Sequence, residues 1–546
     1  MSGPPPAPQH PAAAYTDGQS EPKYSAPPPE YGQNFGQNGA PPPIPGDKPT
    51  FDQAFKLEKP KWNDLWAGIL LLITFGGFVA VSGITLNGYA TTKGFQGGSI
   101  YGGNNDFGLS TNTVILFAFI LALALVLSLL YFWSARAFTK QFIWITGILH
   151  IAFGIGTAIV YFARHYWSAG IVFLAFSIFS IICFVSWIPR IPFSVLMLQT
   201  SMDVATQHGH VFLVSFLGGL VALAFGAWYS VTLVAIYVKY MPGSNGNANP
   251  ACAQGNGSCS SAKVIGLLVF ITFAGYWITE WIKNTMHTTV AGIYGSWYFC
   301  SKQPGGFPKG ATRGAFRRAI TYSFGSISFG SLIVALINMM RQAASIAQRQ
   351  EAQQGNMFGS VMFCLLGCFI GLLEWAVQFI NRYAFSYIAL YGKAYIPAAK
   401  DTWQYVQLPL NDITHCVIQD LLTYSNTSSM MKDRGIDALV NDCLIGPVIT
   451  MGSVFVAYLC SFLAYLYLDF TKPGYNSSNQ YTPVVMAFAF LIGTQLSQVF
   501  LTPISSGVDT FFVAAAWDPE VLRRDHPELW DKMVAVYPHV QQALHV

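Results

Sequence analysis

The chain has 546 residues, 53% of them hydrophobic and only 10% charged, and its 29 Lys and Arg against 25 Asp and Glu leave a net charge of +4. Soluble domains carry about a quarter of their residues as charges, so a soluble fold could not cover this much apolar surface. So small an excess of positive charge gives no argument for a nucleic-acid partner.

Residues 1 to about 60 are rich in Pro, Gly, Gln, Ala and Tyr and hold almost no aliphatic clusters, so nothing offsets the entropy lost on ordering. A disordered cytosolic tail, 1–60, is expected. Within it Pro28-Pro29-Glu30-Tyr31 matches the Pro-Pro-x-Tyr pattern that docks as a polyproline II helix into WW domains. Pro28, Pro29 and Tyr31 are thus candidate contacts for a WW-domain ubiquitin ligase, with chance in a Pro-rich tail as the bland alternative. No cleavable secretory signal is expected, because the first strongly apolar segment begins near Trp66 and is long enough to stay in a membrane.

From there the chain reads as an all-α polytopic membrane domain, 61–512. The spans are Trp66–Leu86, Thr113–Trp133, Phe142–Phe162, Trp167–Trp187, Phe212–Tyr237, Val264–Trp281, Ala319–Met339, Gly359–Ile380, Ile445–Leu468 and Val484–Leu501. Each has roughly 18 to 26 residues, enough at about 1.5 Å per residue for a hydrocarbon core of about 30 Å. Backbone groups there must bond to one another, which these Leu-, Phe-, Ile- and Ala-rich runs achieve as helices. Small residues at helix-contact spacing, Gly218, Ala222 and Gly226 in the fifth span and Gly367 and Gly371 in the eighth, suggest close backbone approaches.

With the N-terminus inside, 21 Lys and Arg fall on the cytosolic side, seven outside, and Lys283 lies near a span end. The positive-inside rule then puts both termini in the cytosol, with 513–546 a cytosolic tail. The loop Met241–Ser261 falls outside. It holds Cys252 and Cys259, which could close a small disulfide ring, and the sequon at Asn256; a second outer sequon stands at Asn476.

The long inner loop begins with Tyr383, Tyr387, Tyr391 and Tyr395, four residues apart, flanked by Arg382 and Lys393. That stripe reads as an interfacial helix, 381–397, continuing from the eighth span; a lining of a substrate path is the sharper alternative. Pro503 and Gly507, with Asp509 beyond them, suggest a broken or bent end of the tenth span near a charge.

An ionisable group in hydrocarbon costs at least about 2.5 kcal/mol on insertion scales, so each asks for a reason. Glu280 follows Tyr276 and Trp277 and precedes Trp281; Glu374 precedes Trp375. Both carboxylates fall at similar depth in spans that run the same way. Carboxylates among Trp and Tyr faces suit an organic cation, through charge neutralisation and cation-π attraction. The candidate substrate site is therefore Glu280, Trp277, Trp281, Glu374, Trp375 and Tyr276, in one shared chamber. The structural alternative is that each Glu pairs with a neighbouring Lys or helix. His287, close behind, is a candidate proton relay or a packing histidine.

No phosphate loop, His-Glu-x-x-His or Gly-x-Ser-x-Gly motif appears, which argues against ATP-driven pumping and two common hydrolase classes. No enzyme activity, cofactor or metal is expected, although a lipid-headgroup enzyme using His287 remains a minor reading.

Three segments resemble the choline-transporter-like family, in its fungal pH-nine-sensitive branch. They are His287-Thr288-Thr289-Val290-Ala291-Gly292 leading to Ser296-Trp297-Tyr298-Phe299; Asn381-Arg382-Tyr383-Ala384-Phe385 through Ile388–Lys393 to Ala398-Ala399-Lys400; and Gly507-Val508-Asp509-Thr510-Phe511-Phe512 ending at Asp518-Pro519-Glu520. The resemblance implies a ten-helix transporter with both termini cytosolic and choline or ethanolamine compounds as substrates. The short loop Asn87–Ser110 fits the fungal branch, whereas members resembling the animal proteins carry a long glycosylated loop there. The reading is a plasma-membrane transporter or facilitator of choline or a similar small organic cation, its partners that cation and the lipid bilayer. The alternative is a membrane scaffold or regulator that recruits WW-domain partners through its tail.

Overall fold

A computed structural model describes residues 48–55, 61–91, 111–163, 165, 167–240, 260–303, 305–405, 445–472, 482–536 and 538. Pro28, Pro29, Tyr31, Cys252, Cys259, Asn256 and Asn476 lie outside the described residues. Among those described, the chain is helical, and ten helical stretches are long and apolar enough to cross a bilayer.

A four-residue helix α1 (Phe51–Ala54) precedes α2 (Leu65–Thr91), α3 (Thr111–Ala137), α4 (Thr139–Ala163), α5 (Trp167–Trp187), α6 (Ile191–Gln207) and α7 (His210–Tyr240). Then come α8 (Ser261–Cys300), the short α9 (Ala311–Ile320), α10 (Phe324–Gln353), α11 (Met357–Tyr391) and α12 (Tyr395–Tyr405). The chain closes with α13 (Ile445–Thr471), α14 (Thr482–Trp517), α15 (Pro519–Asp525) and α16 (Pro527–Val536). Helices α3, α4 and α5 expose Leu, Ile, Phe and Val along much of their surface, as lipid-facing helices do.

Helices α8, α11 and α14 pack pairwise against one another. At 40 residues α8 is about 60 Å long, twice the hydrocarbon thickness. From Asn284 onward almost every α8 side chain is buried, as are most of those at 379–390 in α11 and 500–515 in α14. Many of these residues are Ser, Thr, Gly, Tyr or His, small or polar groups that let helices approach and bond across the contact.

Several expectations change accordingly. The sixth, eighth and tenth spans do not stop at Trp281, Ile380 and Leu501 but continue for about three to five helical turns, because their C-terminal halves face protein. No interfacial helix 381–397 forms: α11 runs unbroken to Tyr391, Gly392 ends it at φ 62°, and Tyr395 opens α12. Tyr383, Tyr387 and Tyr395 are buried in protein rather than set at a lipid boundary. Pro503 lies inside α14, which passes through it to Trp517. Of the small residues expected at helix contacts, Gly218 meets Met286, whereas a methyl group at Gly226, Gly367 or Gly371 would meet nothing within 4 Å.

The tail also ends earlier than residue 60. Phe51 and Phe55 are buried, Phe51 against Gly292 and Gly314. Arg318 holds this segment by donating to the Phe55 carbonyl at 2.6 Å while its guanidinium stacks 4.7 Å over the Phe51 ring. At the other terminus α15 and α16 fold back: Tyr298 Oη donates to the Asp518 carbonyl at 2.9 Å, and His526 Nε2 to the Tyr298 carbonyl at 3.0 Å.

Candidate functional site

The aromatic residues around Glu280 form a packed core. Trp277 is fully buried among Phe78, Phe225, Ile271 and Ala335 of α2, α7, α8 and α10, with Tyr276 and Trp281 packed against the same cluster. Its indole Nε1–H donates to the Ser328 carbonyl at 2.9 Å. The Trp281 ring meets Phe324 edge-on at 5.6 Å. Glu280 itself lies 3.5 Å from Lys283, one turn along its own helix.

Glu374 has different neighbours. Arg341 of α10 reaches it at 2.5 Å, and Gln378 donates to it at 3.1 Å. Trp375, the next residue, is exposed on the bundle surface and stacks on Phe379 at 5.7 Å. Among the described residues no contact joins Glu280 to Glu374, and each carboxylate already faces a cation of the protein. Each Glu thus has beside it the protein cation that the structural alternative calls for. Arg341 escaped notice in the sequence because it falls just beyond the expected end of the seventh span.

The residues that do converge come from the three segments of the family resemblance. On α8, His287 is buried and bonds through both ring nitrogens. Nε2–H donates to the Arg382 carbonyl at 2.8 Å, which in the neutral ring leaves Nδ1 to accept from the Ser506 hydroxyl at 2.7 Å. Ser386 of α11 lies 3.1 Å from Nε2 and donates to the same Arg382 carbonyl at 3.0 Å. Thr510 of α14 donates to the Ser506 carbonyl at 2.6 Å and stands 3.3 Å from the Ser386 hydroxyl.

Asp509 belongs to this junction. It is 5% exposed, and its Oδ2 has no hydrogen-bond partner among the described residues. The Arg382 guanidinium and the His287 imidazole are the neighbours that act on it electrostatically. A buried carboxylate with an acceptor to spare is costly unless something positive or protic meets it. On the same stretch of α14, Gly507, Val508 and Phe511 line a small cavity with Tyr294, Trp297 and Ser201. Tyr294 is fixed there by donating to the Ser201 carbonyl at 2.8 Å, and Ser201 donates to the Ile504 carbonyl at 2.9 Å.

The junction lies in the half of α8 remote from Ser261. His287 is 26 residues along α8 from Ser261, a rise of about 39 Å from the end that the charge bias puts outside. Such a position can hold a cation against one buried carboxylate.

A family model described as plasma-membrane choline transporter matches residues 171–425 and 422–520. Protein pns1 of Aspergillus fumigatus is 57% identical over 521 residues, covering 94% of this chain and 92% of the relative. The PNS1 protein of Gibberella zeae is 58% identical over 498 residues, with 91% and 86% covered, and that of Saccharomyces cerevisiae 40% identical over 500 residues, with 91% and 88% covered. This chain therefore belongs to the choline-transporter-like family, in the branch of the fungal PNS1 proteins, and is a multi-pass membrane transporter of that type.

Proposed function

We propose that the chain carries choline or a related small organic cation across the plasma membrane, with Asp509 as the counter charge of the passing guest. The observation that carries this reading is the buried carboxylate whose Oδ2 lacks a partner at the meeting point of α8, α11 and α14. A quaternary ammonium has no N–H to offer, so it needs net negative charge and ring faces rather than hydrogen-bond acceptors. Asp509 supplies the charge, and Tyr294, Trp297 and Phe511 supply ring faces in the separate small cavity lined by Gly507 and Val508 of the same helix. His287, bonded to α11 through Arg382 and to α14 through Ser506, holds the three helices in register around the carboxylate. Glu280 and Glu374, each with a cation of its own, brace the bundle instead. The test is uptake of labelled choline into proteoliposomes that contain only this protein. Uptake above that of protein-free vesicles is expected, and its absence with any small organic cation, in protein shown to be folded, overturns the proposal.

A further inference from the structure

Helix α9 turns one face into the protein and the other out. Ala311, Ala315, Arg318 and Ala319 are buried, whereas Arg313, Phe316, Arg317 and Ile320 are exposed. The exposed set has the spacing i, i+3, i+4, i+7 and so forms a single stripe. The helix cannot roll to hide it, because Ala315 packs on Gly292, Gly314 on Phe51, and Arg318 is bonded to the Phe55 carbonyl. Two apolar side chains and two guanidinium groups are thereby held facing outward. No acidic residue occurs in α9, and among the described residues neither Arg313 nor Arg317 has a carboxylate partner.

The depth of the stripe follows from what stands next to it. Just beyond Ile320, the Tyr322 carbonyl accepts from the Asn63 N–H at 3.2 Å and the Tyr322 ring meets Trp62 edge-on at 6.2 Å. Trp62 and Trp66 are both more than half exposed at the start of α2, where the chain enters its first span. Exposed tryptophans at the end of a span mark the headgroup level of a bilayer. Lys61, also exposed, adds a third cation beside Trp62.

We propose that Arg313, Phe316, Arg317 and Ile320 of α9, together with Lys61 and Trp62, form a binding site for an anionic phospholipid of the inner leaflet. The guanidinium groups match a phosphate through paired N–H donors, and Phe316 and Ile320 enter the upper acyl region as on an interfacial helix. The commitment to lipid rests on the tryptophans, since a soluble anion would have no use for two exposed apolar side chains at headgroup depth.

The test is native mass spectrometry of the purified full-length protein, titrated with phosphatidylserine against phosphatidylcholine. Wild type is expected to take up phosphatidylserine preferentially. Each cation near the membrane surface contributes about fivefold to anionic-lipid affinity, so R313Q/R317Q should lose about 25-fold of that preference while R313K/R317K retains most of it. Arg313 and Arg317 are exposed, and the single variants R313Q and R317Q, each expected to lose about fivefold, carry the test if the double variant fails to fold. Equal phosphatidylserine binding by wild type and the glutamine variants would place the lipid elsewhere and overturn the proposal. Absence of any preference in wild type would do the same.

Discussion

Asp509→Asn is the most direct perturbation of the proposed transport site, because it removes one charge and keeps the shape of the side chain. At 5% exposure and with Oδ2 unpartnered, the carboxylate has little solvent to screen it. Removing one partner of a desolvated charge pair costs about 2 to 5 kcal/mol, which at 1.4 kcal/mol per factor of ten is a loss of about 30- to 4,000-fold in affinity. Choline binding to purified protein and uptake into proteoliposomes should both fall by amounts in that range. Glu280→Gln and Glu374→Gln are the matched controls, since their carboxylates face Lys283 and Arg341; both should stay within a few-fold of wild type. If Asp509 serves only to balance Arg382, D509N will melt earlier without changing the affinity of the protein that remains folded. Wild-type uptake by D509N, or loss of uptake in E280Q or E374Q alone, would refute the assignment.

Other substitutions test the packing around that site. Trp277→Ala should lower the melting temperature in detergent by opening a cavity worth about 3 to 5 kcal/mol, and Trp277→Phe should cost about 1 kcal/mol for the bond lost to the Ser328 carbonyl. An unchanged melting curve together with lost choline binding would move Trp277 from the core to the site. Gly507→Ala sets a methyl group into the Tyr294 ring and 2.7 Å from Ser201 Oγ; it should destabilise by about 1 to 3 kcal/mol. Gly226→Ala, with nothing within 4 Å, should not, and equal melting of the two would contradict the close approach of α14 to α6 and α8. The docked C-terminal helices should respond to acid. Burial holds the His526 pKa below the ordinary 6.5, against the Tyr298 carbonyl and Asp525, which favour the proton, while Lys302 opposes it. The released tail binds a proton more readily than the docked one, so docking is at full strength above about 6.5 and weakens as pH falls through the lowered value. Hydrogen exchange in 519–536 should quicken at pH 5.5 relative to 7.5, after correction for intrinsic rates, and His526→Gln should flatten that difference; equal protection in wild type at both pH values would contradict it.

Hydropathy locates the halves of helices that touch lipid, and for that reason the ten spans were legible. The apolar runs of α2 to α5 and α7 announce themselves because exposed side chains in a membrane must be apolar. The same measure fails where a helix turns to face protein. Thr285, Thr288 and Thr289 on α8, Asn381 and Ser386 on α11, and Ser506 and Thr510 on α14 are buried, yet they read in sequence like the end of a span. Ending the tenth span at Leu501 left Asp509 beyond it, read only as a charge near a bent end, and ending the seventh at Met339 hid Arg341, the partner that neutralises Glu374. Glu280 and Glu374 drew attention because they stood among apolar neighbours, but a charge in such a setting is the one most in need of an internal counter-ion, and both have one. The better pointer was available without coordinates: the three segments of the family resemblance each carry polar residues at helical spacing, and His287, Arg382 and Asp509 are ionisable residues among them, one on each of three different helices. Residues that bond across helices have no reason to be apolar, so in a chain of this kind the site lies where the hydropathy signal fades while the helix goes on.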